Sequence, residues 1–288
     1  MKKKKLISYI TAITVATGLS FGLTATKAKA QEAQIGNTGV TLSAGYAGEH
    51  FHYGESIGDQ EHGWLNGFYV GAGYTSQNSV LGLGKLDLNL KDTFLTNSIT
   101  YDGYQTDLAT GAHIPSTTNT HENINKIEFE FGFNQALAQN ISVGEYGILG
   151  YRYWDRQIKG IGGYTNDYNN GYAGIGVKSK ISNLGLNGLN LGLDLSYRLS
   201  PAWSSINYMT NDFGTYDMGT AYNVRVEVPI EYNLGKNFSV SATPYYDYWH
   251  FTGSNIVNVS FFGFQIPTRE PGSETNSLGF NLGINYKF

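Results

Sequence analysis

The stretch GEHFHYGESIGDQEHG, Gly48 to Gly63, gathers three histidines and four carboxylates within sixteen residues. His50 and His52 stand two apart, so on a strand they share one face, and His62 returns towards them across a first loop. Imidazoles in that relation, with Glu49, Glu55, Asp59 and Glu61 nearby, could ligate a transition metal. No closed four-ligand spacing can be read from the segment, so a solvated polar loop is the competing reading, and the sequence calls for no cofactor.

A second set of charges runs through the chain at alternate positions. Lys85, Lys91, Arg152, Lys178, Arg198, Arg225 and Lys287 fall on the same strand faces as Asp87, Glu128, Glu130, Asp194, Glu227, Glu231 and Asp247. Their signs cancel. Charges crowded into a narrow interior are costly unless paired and hydrogen-bonded, so the expected arrangement is a salt-bridged plug. A selective pore would carry one dominant sign.

These groups need strands to position them, and the alternation supplies strands. Leu189, Leu191, Leu193, Leu195, Tyr197 and Leu199 alternate with polar or small residues. Tyr222, Val224, Val226, Val228, Ile230, Tyr232 and Leu234 do the same, as do Ile127, Phe129, Phe131 and Phe133, and the run Phe238 to Tyr248. Strands with one apolar and one polar face over about ten residues are what a transmembrane barrel requires. Short links are expected near Thr75–Ser79, Ala138–Asn140, Ser182–Gly188 and Gly235–Asn237. Long polar loops are expected near Gly54–His62, Gln105–Asn123, Asp155–Asn170, Ser200–Gly219 and Gly253–Ser273. Four short and five long connections in strict alternation imply about ten strands with both termini on the short-turn side. The third strand, Lys85 to Tyr104, is too long for a bilayer and should run on above it. Trp64, Tyr151, Tyr153, Trp154, Tyr246, Tyr248 and Trp249 cluster where strands meet long loops, as an interfacial aromatic girdle would.

Composition agrees. The first thirty residues open on four lysines after the Met, then have an apolar run from Leu6 to Leu23 and an Ala28-Lys29-Ala30 site, the order of a secretory signal peptide. Removing them takes six of the 19 basic residues and none of the 23 acidic ones, leaving 13 against 23 and a net charge of −10. Nucleic acid is therefore excluded as a partner. Cysteine is absent, so no disulfides stabilise an exported chain, and no apolar run after residue 30 is long enough for a spanning helix. Only a closed β-barrel then satisfies the backbone in a bilayer.

The final strand alternates Phe280, Leu282, Ile284, Tyr286 and Phe288 with small or polar residues. That pattern resembles the C-terminal signature of Gram-negative outer-membrane β-barrel proteins, and the resemblance implies recognition by their barrel-assembly machinery. In strand count and overhanging strands the chain also resembles the omptins, ten-stranded surface proteases. Their motif pairs two aspartates with an Asp-x-His, and no Asp-x-His occurs here. Asp247 precedes His250 by three residues, which places the two on opposite strand faces. A lipid hydrolase would need a serine or an activated water beside a histidine, and nothing in the sequence places a serine beside His250 or His113.

The expectation is a signal peptide, residues 1–30, followed by an all-β, antiparallel, up-and-down outer-membrane barrel, residues 31–288. Its lumen is plugged and its long loops act as a surface-exposed structural or adhesion-type binding region. Its partners are outer-membrane lipid and lipopolysaccharide, the assembly machinery and an extracellular ligand. A narrow porin-like channel and an omptin-like or lipid-modifying hydrolase are the alternatives.

Overall fold

Alternation turns into a wall when each strand finds a hydrogen-bonded neighbour on both sides. The computed structural model describes residues 38–106, 113–160, 163–209, 214–261 and 264–288. The expected export segment lies outside them. The strands are β1 (Gly39–Glu55), β2 (Gln60–Ser79), β3 (Lys85–Thr106), β4 (His113–Ala138), β5 (Ile141–Ile158), β6 (Thr165–Ile181), β7 (Leu189–Ser200), β8 (Ser204–Tyr208), β9 (Gly214–Asp217), β10 (Ala221–Glu227), β11 (Ile230–Asn233), β12 (Phe238–Phe251), β13 (Val257–Phe261), β14 (Phe264–Thr268) and β15 (Ser273–Lys287). Consecutive strands from β1 to β7 pair antiparallel, β7 pairs with β10 and β11, these pair with β12, and β15 joins β12 to β1. β10 and β11 are one stave. Pro229 cannot donate to the ladder and interrupts it, yet the register against β7 and β12 is the same on both sides. The result is a closed ring of ten staves with no free edge.

The outer face explains the apolar half of the alternation. Leu42 and Tyr46, Phe68 and Val70, Phe129 and Phe131, Ile175, Leu193, and Leu282 and Ile284 all stand exposed on the outside. They form an apolar belt around the staves. At the loop end the pattern changes phase. On β4 the outward residues become Asn125, Asn123 and His121 while Ile124 turns inward and is fully buried. On β5 Asp155 and Gln157 face out while Trp154 and Ile158 are buried. On β1 His50 and His52 face out over buried Phe51 and Tyr53.

That inversion corrects the expected loops. β4 has 26 residues and β3 has 22, against the roughly 9–11 a tilted strand needs to cross a bilayer. Much of what read as polar loop at 54–62, 105–123 and 155–170 is strand, because apolar residues on its inner face give the overhang a core of its own. Between β1 and β2 only Ser56–Asp59 lies outside a strand. The segments 200–219 and 253–273 carry the hairpins β8–β9 and β13–β14. The first short link is also displaced. Thr75–Ser79 belongs to β2, where the register slips, and the chain turns at Val80–Gly84 with Leu81 and Gly82 at positive φ.

Tight strand contact at two inward glycines leaves no room for a side chain. A Cβ on Gly67 would overlap the Phe94 carbonyl and touch the Leu95 Cα, and one on Gly45 would overlap the Leu282 carbonyl. Because these obstacles are backbone, repacking cannot relieve them. Gly67→Ala should destabilise the barrel by about 1–3 kcal/mol, the usual cost of overpacking. A lowered thermal midpoint of the detergent-folded protein checks this, and an unchanged midpoint would contradict it.

Candidate functional site

The lumen fills in three layers, each set by the inward residues of the staves. At the turn end a cavity of about 310 Å³ is lined by Asp87, Lys178, Lys180, Glu231 and Lys287 among others. Lys178 pairs with Asp87 across the bore, from β6 to β3, and Lys180 pairs with Glu231 at 2.8 Å. The ion pairs here are partly solvated and contribute little each.

The middle layer is dry and more tightly bonded. Arg198 on β7 donates to Glu128 on β4 at 2.7 Å and to Asn223 and Ser196 at 2.9 Å. Arg225 donates to Glu227 at 2.6 Å and to Asp247 at 3.4 Å, with its guanidinium 4.3 Å from the Tyr245 ring centre. Lys126 reaches Glu49 at 3.2 Å, and Glu49 also accepts from Tyr245 at 2.8 Å. Tyr146 donates to Asp194. The links Arg198–Glu128, Lys126–Glu49, Tyr245–Glu49 and Tyr146–Asp194 join staves that are not neighbours, so they cross the bore rather than line it. Breaking one partner of such a pair strands a buried charge.

All fourteen charges assigned to the interior from alternation lie on the inward face. Lys85, Lys91, Glu130 and Arg152 do so as well as those named above, with Arg152 5.1 Å from the Trp154 ring centre. Sequence reasoning missed Lys126, Lys180, Glu122 and Arg156 and read Glu49 and Glu61 as neighbours of the histidines rather than as interior charges. Each shares strand parity with a residue it did assign or with the buried core, so extending each run by a few residues would have found them.

Above the ion pairs, Phe51, Tyr53, Trp154, Tyr168, Trp249 and Phe251 pack into an aromatic core, with Trp154 stacked on Tyr168 at 4.4 Å. This corrects the girdle. Trp154 and Trp249 are buried inside, on the faces of Arg152 and Asp247, and do not reach the outer surface. Trp64, Tyr151, Tyr153, Tyr246 and Tyr248 are on the outer face, joined there by Tyr46, Tyr197 and Tyr222. Trp64 donates to Asn66 at 2.8 Å and Tyr246 to Asn276 at 2.7 Å.

Over the aromatic core sits a cluster built on Arg156, which is fully buried. Its guanidinium contacts Glu61 at 2.7 Å, Glu55 at 3.4 Å and the Tyr168 hydroxyl at 3.4 Å, and lies 4.9 Å from the Tyr53 ring centre. Thr120 donates to Glu61 at 3.1 Å, and Trp154 donates to Glu122. Glu270, from the segment between β14 and β15, accepts from Tyr208 at 2.7 Å and from Tyr168 at 3.4 Å. Burial above all pushes the Glu55 carboxyl up to about 7, and it likewise raises Glu270 and, further, Glu122.

The histidines are placed otherwise than the metal reading requires. His52 and His62 oppose each other across β1 and β2, and His50 shares their face, but that face is the outer wall. Glu49 and Glu61 point into the lumen, so the barrel wall separates them from the imidazoles. No three His, Asp or Glu are placed to hold a metal among the described residues. His121 lies 3.2 Å from the Ser98 hydroxyl and His250 lies 3.3 Å from Glu274, both outside the barrel. Phe280, Leu282, Ile284, Tyr286 and Phe288 also face outwards.

Compared with known proteins, the chain matches no family model and no curated sequence. Among solved structures it is similar to the outer membrane protease OmpT from Escherichia coli, at 12% identity and a TM-score of 0.59, covering 86% of this chain and 96% of that one. It also matches the transport unit of the autotransporter AIDA-I from Escherichia coli at 12% identity and a TM-score of 0.48, covering 98% of each chain. The translocator domain of the autotransporter NalP from Neisseria meningitidis matches at 11% identity and a TM-score of 0.46, again over 98% of each. The likeness is one of fold, and the fold is that of Gram-negative outer-membrane β-barrels.

Arg156 holds the upper lumen together, so removing its charge leaves Glu61 without its cation in a dry site. Arg156→Met should cost about 3–5 kcal/mol, read as a large drop in the unfolding midpoint. Retention of the wild-type midpoint would show that the cluster contributes nothing to stability.

Proposed function

We propose that this chain is an integral outer-membrane barrel with a closed lumen, acting at the cell surface through its overhanging strands and loops as a structural or adhesion-type binding protein. The observation that carries the reading is the filling of the bore. Ion pairs between non-adjacent staves and an aromatic core above them occupy the space through which a solute would pass. A barrel of about ten staves is narrow enough for side chains to fill it. The apolar belt and the aromatic residues at its loop-side border support insertion in a bilayer.

The loop end supports the binding half of the reading. Ile57, Trp203, Met209 and Ile256 stand exposed there among polar neighbours, on connections held by a rigid wall. Large apolar side chains on an otherwise polar surface are what protein partners bury as anchors. In this reading the belt contacts outer-membrane lipid and lipopolysaccharide, and the outward residues Phe280 to Phe288 serve the assembly machinery during insertion. Residues 1–30 direct export. The intact mass of membrane-extracted protein should then begin at Gln31, and a mass that still includes residues 1–30 would refute the export segment.

Conductance separates the closed barrel from a narrow channel. The refolded protein in planar bilayers should show no stable single-channel current. Steady current, with an ion selectivity that shifts when Arg225 or Glu128 is neutralised, would make the channel the better reading.

A further inference from the structure

The cluster at the loop end holds one guanidinium among four buried carboxyl groups. Arg156 and Thr120 both direct their hydrogen bonds to Glu61 Oε1. Glu55 accepts from the Tyr53 hydroxyl at 2.9 Å, and Glu270 accepts from Tyr208 and Tyr168. Glu122 accepts from the Trp154 indole through Oε2. Two oxygens remain, Glu61 Oε2 and Glu122 Oε1. Both residues are fully buried, and no donor from any other described residue reaches either atom. The two side chains are neighbours in one buried cluster, since Thr120 and Arg156, which bond Glu61, each stand two residues along the same inward face from Glu122 and from its partner Trp154.

Two ionised carboxylates offer acceptors only, so a hydrogen bond between them needs a proton that neither would carry if both were charged. Full ionisation would also leave Glu122 and Glu270 as buried charges with no ion-pair partner among the described residues, which is strongly unfavourable. We propose that Glu61 and Glu122 share one proton, and that this proton is a latch that keeps the loop end of the lumen closed. The latch bridges β2 and β4 across β3. The remaining bonds of Arg156 and the tyrosines then tie β1, β5, β6 and the segment bearing Glu270 to the same point.

Every element around the pair bears on its titration. β1 supplies Tyr53 and Glu55, β3 supplies Tyr101 with Asp59 hydrogen-bonded to it at 2.9 Å, and β5 supplies Arg152 and Arg156. β6 supplies Tyr168 beside Glu270. Burial first and the Glu61 charge second hold the Glu122 carboxyl well above its ordinary range, and Arg156 opposes them without prevailing. Its proton is thus bound more tightly in the folded chain than in the unfolded one. The stability it confers is fully present below the unfolded value of about 4.3 and is lost as pH rises through the folded value. The latch is therefore closed while Glu122 keeps its proton and loosens as pH rises through that folded value. It depends on the barrel alone, whatever the loops bind.

The test uses the full-length protein folded in detergent, with E122Q, whose amide keeps the shape, accepts from Trp154 and donates permanently to Glu61. At about pH 8.5 Glu55, held near 7, is mostly ionised. The wild type should still show the infrared carbonyl band of a protonated, buried carboxylic acid, and E122Q should lose it. The unfolding midpoint of the wild type should fall with rising pH above the unfolded value of about 4.3 more steeply than that of E122Q. A wild type without the acid band at pH 8.5 overturns the proposal with no variant needed. So does a band and a pH slope that E122Q leaves unchanged.

Discussion

A strand in a closed antiparallel ring has two faces, and every side chain must lie either in the bore or on the outer wall. The rest of the molecule follows from that constraint. Closure leaves no edge and satisfies the ladder groups of each stave, which is the condition for a strand to survive in a bilayer. It also means that a residue's surroundings are decided by its parity and its height. At belt height the outside is apolar and the bore is charged. Above the belt the outside is Asn, Thr, His and Asp, and the bore is Phe, Tyr, Trp and Ile. The inversion marks the height at which the outer face stops being apolar.

Inside, the two halves of the bore solve the packing problem differently. The middle is filled by arginines, whose planar guanidinium can hold two carboxylates or a carboxylate and an amide at once, as Arg198 and Arg225 do. The bond from Arg198 to Glu128 spans three staves and braces the ring, while Asn223 and Asp247 are held on the staves next to their arginines. Above, aromatic rings take over, because there the wall is wet outside and the stave pairs need an apolar core to hold them. Arg156 and its carboxyls sit on that core with tyrosine hydroxyls completing their bonds. In this upper site Arg156 is the cation that pairs with the acids, contacting Glu61 and Glu55, while Glu270 and Glu122 are held by tyrosine and tryptophan donors.

The long connections are where a surface function has room to change. Most of what extends past the belt is wall rather than loop, so the hairpins β8–β9 and β13–β14 and the tips near Ile57 and Ile256 are held on a stiff base. Binding residues placed on short connections over a rigid scaffold lose little entropy on binding. Glu270 couples one such connection to the interior through Tyr168 and Tyr208.

By itself the sequence determined the class of fold, the number of staves, the direction of the chain and the inward position of fourteen charges. All of these are local consequences of a two-residue period and of connection length, which any stretch of the chain carries within itself. Parity was also enough to place Trp154 beside Arg152 and Trp249 beside Asp247, although the chemical habit of tryptophan at interfaces pointed the other way. Tertiary structure alone decided who meets whom across the bore. Arg156 meets Glu61, Arg198 meets Glu128 and Lys178 meets Asp87 because ring closure, strand tilt and register bring distant staves to one height, and no short-range pattern encodes height. For the same reason the histidines of Gly48–Gly63 were legible as neighbours but not as residues that the wall separates from their carboxylates.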